Sequence, residues 1–359
     1  MASTSSHLRG ALIGCGFFAR NHLHAWQQLE GVDIVALCDA DPDRLAETAA
    51  QFGIARTYIS AEALFAAEQL DFVDIATTVA SHRPLVAMAA AARVPCICQK
   101  PFANTLDDGL AMVTDCEAAG IPLMVHENFR WQTPIQAVRQ ALDSGAIGTP
   151  FWGRVSFRSA FDVFSGQPYL ATDERFILQD LGIHIFDIAR FLFGEVGTLS
   201  ASTRRVNPKI RGEDVATLML QHNSGLTSIV DCSYATALPQ ELFPQTLVEI
   251  DGSEGSIRLG ADYRLTIHAT KGDTRTIYCA PPLHGWAQRP WHNIQDSVLN
   301  IQAHWLDCLR HQNPPQTSGR DNLLTLQGIQ AAYSSAANGQ AAIRLGMPGT
   351  DMPSQRASI

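Results

Sequence analysis

Lys100 stands between Gln99 and Pro101 at the end of a short apolar run, Val94 to Cys98. A cation there can hold a substrate hydroxyl and stabilise the alkoxide that develops as hydride leaves the adjoining carbon. Pro101 restricts the backbone and so fixes where the ammonium goes. A second polar group lies further on, where Leu178 to Phe193 reads as one helix. Asp180, His184 and Asp187 fall at i, i+4 and i+7 and share a face, beside an apolar stripe of Leu181, Ile185, Ile188 and Leu192. Histidine titrates near neutrality and can take the proton of an alcohol, so turnover should rise with pH through its ionisation. Asp180 can orient the imidazole or bind a hydroxyl. Gly182 weakens the first turn and removes bulk where a ligand could press on the helix. Each feature also has a plainer reading. Lys100 alone is equally a solvated loop lysine, and the helix face a solvated stripe. Aspartate and histidine one turn apart could chelate a metal. For Asp187 the structural reading, a pair with Arg190 at i+3, is preferred.

These groups need something to receive the hydride, and the start of the chain supplies it. Leu8 to Ile13 is a buried strand that ends in Gly14-Cys15-Gly16-Phe17-Phe18-Ala19, followed by helix formers to Leu29. Gly14 makes the turn tight, Gly16 lets a pyrophosphate reach the backbone amides, and Ala19 allows close helix–strand packing. The helix N-terminus adds partial positive charge. Phe17 and Phe18 complete the turn and count with it among the cofactor contacts. Asp39 closes the next strand, Val32 to Cys38, where a carboxylate accepts both ribose hydroxyls of NAD and repels a 2′-phosphate. The expected cofactor is NAD.

Strand and helix alternate through about residue 128. Strands are expected at Arg56 to Ile59, Phe72 to Ala76, Val94 to Cys98 and Pro122 to Val125. Helices are expected at Asp41 to Phe52, Ala61 to Glu68, Arg83 to Arg93 and Leu106 to Ala119. Uniformly apolar strands between helices mean an α/β domain with a doubly wound parallel sheet, assigned to residues 1–128. From Phe151 the strands alternate inside and outside residues: Phe151 to Ser159, Leu199 to Val206, Ala216 to Gln221, Thr227 to Ser233, Thr246 to Asp251, Ser256 to Leu259, Leu265 to Ala269 and Thr276 to Cys279. That period marks an open, mostly antiparallel sheet in an α+β domain, residues 129–346. Helices Ile294 to His311 and Leu323 to Asn338 follow, and 347–359 reads as a frayed tail. An open sheet needs a cover, so a homodimer or homotetramer through it is expected.

A chain of 359 residues suits two domains. With 46% hydrophobic and 17% charged residues it is an ordinary soluble composition, and a net charge of −9 argues against nucleic acid or an anionic membrane. No apolar run is long enough to cross a bilayer, and Met1 to Arg9 lacks a signal peptide's hydrophobic region. The cysteines form no framework. Cys96-x-Cys98 has no second pair and, in a strand, lacks the chelating geometry of a turn, so no metal and a reducing cytoplasm are expected. His284, Trp286, Trp291 and His292 form a loop cluster that could bound a sugar pocket, although an aromatic plug is preferred.

The ordered motifs Gly14-x-Gly16-x-x-Ala19, Asp71-Phe-Val73-Asp-Ile75-Ala-Thr77-Thr78-Val-Ala-Ser-His82, Gln99-Lys100-Pro101 and Asp180-Leu-Gly182-Ile-His184-Ile-Phe-Asp187 resemble the glucose–fructose oxidoreductase and inositol dehydrogenase (Gfo/Idh/MocA) family. The resemblance implies an NAD-dependent sugar or polyol dehydrogenase acting on a CH–OH group. Lys100 is then the catalytic lysine, His184 the proton-transferring histidine and Asp180 the acid beside them. Thr77, Thr78 and His82 line the cofactor crevice with Gln99, and Asn128 and Arg130 border nicotinamide and substrate. Two departures stand out, Gln99 where the family usually has glutamate and Thr78 where it usually has proline. His126-Glu127-Asn128-Phe129-Arg130-Trp131-Gln132, with Thr317-Ser318-Gly319-x-Asp321-Asn322, is similar to a subgroup that includes D-apiose dehydrogenases. For an aldose the product is a lactone. The rival readings are a carbonyl or imine reductase and a non-catalytic NAD(P)-sensing regulator.

Overall fold

The structure, a computed structural model, describes residues 7–346; the expected frayed tail and the first six residues lie outside them. By contacts the chain forms two compact units. The first runs to Gln140 and adds Asp262–Leu265 and Ile277–Asn322; the second holds Ala141–Ala261, Thr266–Thr276 and the residues from Leu323 on.

The first unit begins with alternating β1 (Leu8–Ile13), α1 (Ala19–Gln28), β2 (Val32–Cys38), α2 (Pro42–Phe52), β3 (Arg56–Tyr58), α3 (Ala61–Ala67), β4 (Phe72–Ile75), α4 (His82–Ala92), β5 (Cys96–Gln99), α5 (Leu106–Ala119) and β6 (Leu123–His126). The strands form one sheet in the order β3-β2-β1-β4-β5-β6, every pair parallel. The order reverses between β1 and β4, where the carboxyl ends of the strands leave a crevice for a ligand. Local chemistry sets the helix ends. Asp41 accepts the amides of Asp43 and Arg44 at 3.1 Å each to start α2, while Ser60 and Thr105 do the same for α3 and α5. One side of the sheet packs Leu12, Leu23, Leu37, Leu45 and Phe52 together. Another cluster joins Trp26, Phe72, Ile97 and Met124 to Ile301 and Trp305. Those last two residues belong to a helix far along the chain.

After a 3-10 turn at Phe129–Trp131 comes α6 (Thr133–Asp143), which the sequence reading left without an element. Its apolar positions Ile135, Val138 and Ala141 are buried, but the run is short and Thr133-Pro134 resembles a loop. The second unit is built on β7 (Pro150–Arg158), α7 (Ile183–Phe193), β8 (Val196–Arg204), β9 (Val215–His222), β10 (Thr227–Ser233), β11 (Leu247–Gly252), β12 (Gly255–Leu259), β13 (Arg264–Ala269) and β14 (Arg275–Tyr278). The helices α8 (His292–His311) and α9 (Gly319–Ala337) and a short β15 (Ile343–Arg344) close the described chain. The order of the nine strands is β14-β13-β12-β11-β7-β10-β9-β8-β15, antiparallel in most pairs with β7 and β10 parallel. Alternation is plain in β9, where Ala216, Leu218 and Leu220 are buried and Thr217, Met219 and Gln221 exposed. The covered face carries α7, on which every residue but Phe191 is buried. A Cβ at Gly153 of β7 would run into the ring of Phe193, so a glycine is what lets the helix lie against the strand.

Candidate active site

The nucleotide turn of the first unit is shaped as its glycines require. Gly14 has φ +100°, and a Cβ on it would come within 2.6 Å of the Ala76 carbonyl and 2.8 Å of the Thr77 methyl. Gly16 faces open space, with nothing within 4 Å of the position of its missing Cβ. α1 starts with no side-chain cap and no acid in its first turn, unlike α2, so its amides are left for an anion. Asp39 holds the turn directly: its Oδ2 accepts the Cys15 amide at 2.6 Å and its Oδ1 the Asp41 amide at 2.8 Å. An uncapped helix start, an open glycine and a carboxylate at the end of β2 suit a pyrophosphate and a ribose diol. Phe18 is set edge-on to His22 and His126, whereas the exposed Phe17 meets Trp291 at 6.1 Å.

Thr77 and Thr78 lead into a 3-10 turn at Val79–Ser81, so threonine in place of proline leaves the turn intact. The Ser81 hydroxyl lies 2.8 Å from Thr77 Oγ1 and 2.9 Å from the Thr78 carbonyl. His82 is fully buried and spans two loops, its ring nitrogens each 3.2 Å from the carbonyls of Phe102 and Thr77. Burial lowers its pKa. It holds the crevice wall in shape rather than presenting an imidazole to it.

Gln99 is the last residue of β5, not the first after it. Its amide turns inward: Oε1 accepts the Lys100 amide at 2.6 Å and Nε2 lies 3.1 Å from His22 Nε2. Lys100 is half-buried at the strand's carboxyl end. Asn128 and Arg130 are buried as well. Asn128 donates to Ser297 at 2.6 Å, and Arg130 pairs with Asp321 at 3.1 Å. The aromatic loop behaves as a plug: Trp286 stacks between His24 and His284, and His284 bonds Asp296 at 2.9 Å. His292 is not in that loop but opens α8.

The helix expected over Leu178 to Phe193 is two pieces. Leu178–Gly182 forms a π-turn and Ile183–Phe193 an α-helix, so Asp180 sits in the π-turn while His184 and Asp187 sit on α7. Such turns recur where a helix is reshaped for a function. Glu213 fixes its start, accepting the amides of Phe176 and Leu178 at 3.3 and 3.2 Å, with the Tyr333 hydroxyl donating to it at 2.7 Å. Gly182 makes room for its own turn, since a Cβ there would lie 3.1 Å from Leu178 Cδ2 and 3.3 Å from the Ile177 carbonyl. The glycine serves packing of the helix, and no ligand is needed to explain it. The face is not solvated: His184 is 4% exposed and Asp187 0%. Asp187 accepts the Thr325 hydroxyl at 3.1 Å, and Arg190, 3.9 Å away, is held by Glu195 at 2.8 Å. The structural reading of Asp187 therefore fits. Sequence reasoning missed Asp173 and Tyr234: burial and then the charge of Asp180 raise the pKa of both. Asp173 lies in a stretch without periodicity, which gave no signal.

Residues 8–127 match the oxidoreductase family with NAD-binding Rossmann fold, and residues 135–258 match the GFO/IDH/MocA C-terminal domain. The chain belongs to the Gfo/Idh/MocA family. It is an NAD-binding oxidoreductase with the two-part fold of that family. Among Gfo/Idh/MocA proteins it is 66% identical to a D-apiose dehydrogenase of Paraburkholderia graminis, over 94% of this chain and 90% of that one. A D-apiose dehydrogenase of Rhizobium rhizogenes is 63% identical over 93% and 97%. A crystal structure of an oxidoreductase from Agrobacterium radiobacter in complex with NAD+, L-tartaric acid and magnesium is 62% identical. It superposes with a TM-score of 0.93 over 94% of this chain and 98% of that one.

Proposed function

We propose that the chain is an NAD-dependent dehydrogenase that oxidises the anomeric hydroxyl of D-apiose to a lactone. The observation that carries this reading is its identity of 66% and 63%, along more than nine-tenths of its length, to two D-apiose dehydrogenases. NAD, when bound, takes the hydride from the anomeric carbon. Lys100 and Asp180 hold the hydroxyl, and His184 accepts its proton as the C–O bond becomes a carbonyl. The burial of His184 supports the role, because a dry base is not short-circuited by solvent.

Purified protein given D-apiose and NAD should produce NADH, and His184→Ala should lower kcat by about 10²–10⁴-fold with NAD binding intact. Unchanged turnover in that variant would remove the histidine from the mechanism. Eight unpaired, buried thiols support a reducing compartment, and among the described residues no helix is long and apolar enough to cross a membrane. We place the enzyme in the cytoplasm. The exposed row Thr217, Met219 and Gln221 on β9 supports a second copy as the cover of the open sheet. Light scattering at micromolar concentration should give a dimer or tetramer; a monodisperse monomer excludes it.

A further inference from the structure

Four side chains of the first unit form one hydrogen-bonded line that ends on the backbone of Lys100. The Lys100 amide donates to Gln99 Oε1 at 2.6 Å, and Gln99 Nε2 lies 3.1 Å from His22 Nε2. His22 Nδ1 lies 2.8 Å from Asp74 Oδ2, and the indole N–H of Trp26 donates to the same oxygen at 2.8 Å. His22 and Asp74 are fully buried and Gln99 is 7% exposed, so solvent does not substitute for a lost partner.

The ends of the line determine its middle. A backbone amide can only donate, so Gln99 must turn its carbonyl oxygen to Lys100 and its NH2 to His22. That NH2 cannot accept, so His22 Nε2 must carry a lone pair. The ring proton then lies on Nδ1 and goes to Asp74, which already accepts from Trp26. No other arrangement gives every contact one donor and one acceptor. His22 also stacks on His126, with ring centroids 4.1 Å apart, which fixes the plane of the imidazole.

We infer that Gln99, His22 and Asp74 are positioning residues that hold the backbone at Lys100, and that this line requires an amide at position 99. The inference rests on the reading of Lys100 as the residue that holds the substrate hydroxyl. A glutamate at 99 could still accept the Lys100 amide, but its second oxygen would face the lone pair of His22. The contact then takes up a proton or opens, and either event disturbs the strand end that carries the lysine.

Nitrogen NMR of the unaltered protein, with His22 assigned by loss of its signals in His22→Gln, should show Nδ1 protonated and Nε2 bare. A proton on Nε2 overturns the line. Gln99→Met and Gln99→Glu should each lower kcat for D-apiose by about 10–100-fold while KM for NAD moves less than about 2-fold. In Gln99→Glu the pH profile of kcat should gain an ionisation that Gln99→Met lacks. A kcat within about 2-fold of the parent in both variants overturns the positioning role. The NMR result needs no variant of Gln99 to fold. Lys100→Ala separates the two claims: full turnover there would defeat the reading of the lysine, while the proton on His22 still judges the line.

Discussion

Asp39 accepts two backbone amides, from Cys15 and Asp41, one on each oxygen. Each oxygen keeps a further lone pair, so the carboxylate can tie down the glycine turn and still receive a ribose diol. Arg44 stands 4.0 Å from it, close enough to meet a 2′-phosphate once the acid is gone. Asp39→Ser should therefore shift the ratio of kcat/KM for NADP over NAD upward by about 10-fold. It should also cost about 1 kcal/mol of stability for the lost Cys15 bond. An unchanged cofactor ratio would take Asp39 away from the ribose. The roles of Gly14, Gly16 and Asp39 were legible because the turn, the strand and the acid are neighbours in sequence. The orientation of Gln99 was not: its partner His22 lies 77 residues away, and only folding brings them together.

The same contrast holds for whole elements. The apolar stripe of α7 announced a helix and the burial of Asp187 fits its structural role, but nothing local marked the π-turn that carries Asp180. That turn is held by Glu213, at 35 and 37 residues' separation from the amides it accepts. Removing the carboxylate leaves two amides of the turn's first residues without their acceptor. Glu213→Ala should lower kcat by about 10-fold or more and lower Tm by a few degrees, with NAD affinity unchanged because the carboxylate contacts only its own unit. A variant with normal kcat and lowered Tm would make Glu213 a stabiliser of the fold without influence on Asp180. The helix α6 escaped notice for a related reason. Its three buried positions are too few to show a period, and a threonine–proline start reads equally as a turn.

At the scale of the molecule, the switch from uniformly apolar strands to alternating ones identified both sheets, since each sheet's burial is written into its own strands. Membership of the compact units is not written there, because α8 returns to the first unit after the second sheet has been laid down. Both units bury histidines, and this gives the fold an acid limit. Burial lowers the pKa of His24, His82, His222, His292 and His304 from the ordinary 6.5. Above that value the rings are neutral in folded and unfolded chains alike, and they contribute no pH dependence. As pH falls through it, the unfolded chain binds protons that the folded chain refuses, so stability declines until the folded-state values are reached. Each unit of depression is worth about 1.4 kcal/mol at full effect, with the greatest share expected from the most enclosed rings, His82 and His222. Thermal melts should therefore show Tm falling steadily from about pH 7 to about pH 5.5, before most carboxylates titrate. His82→Gln should flatten that decline, because an amide can donate to one of the two carbonyls without a proton to gain. A Tm that is level or rising over the same interval would mean that other groups, not the buried histidines, set the acid side of the stability curve.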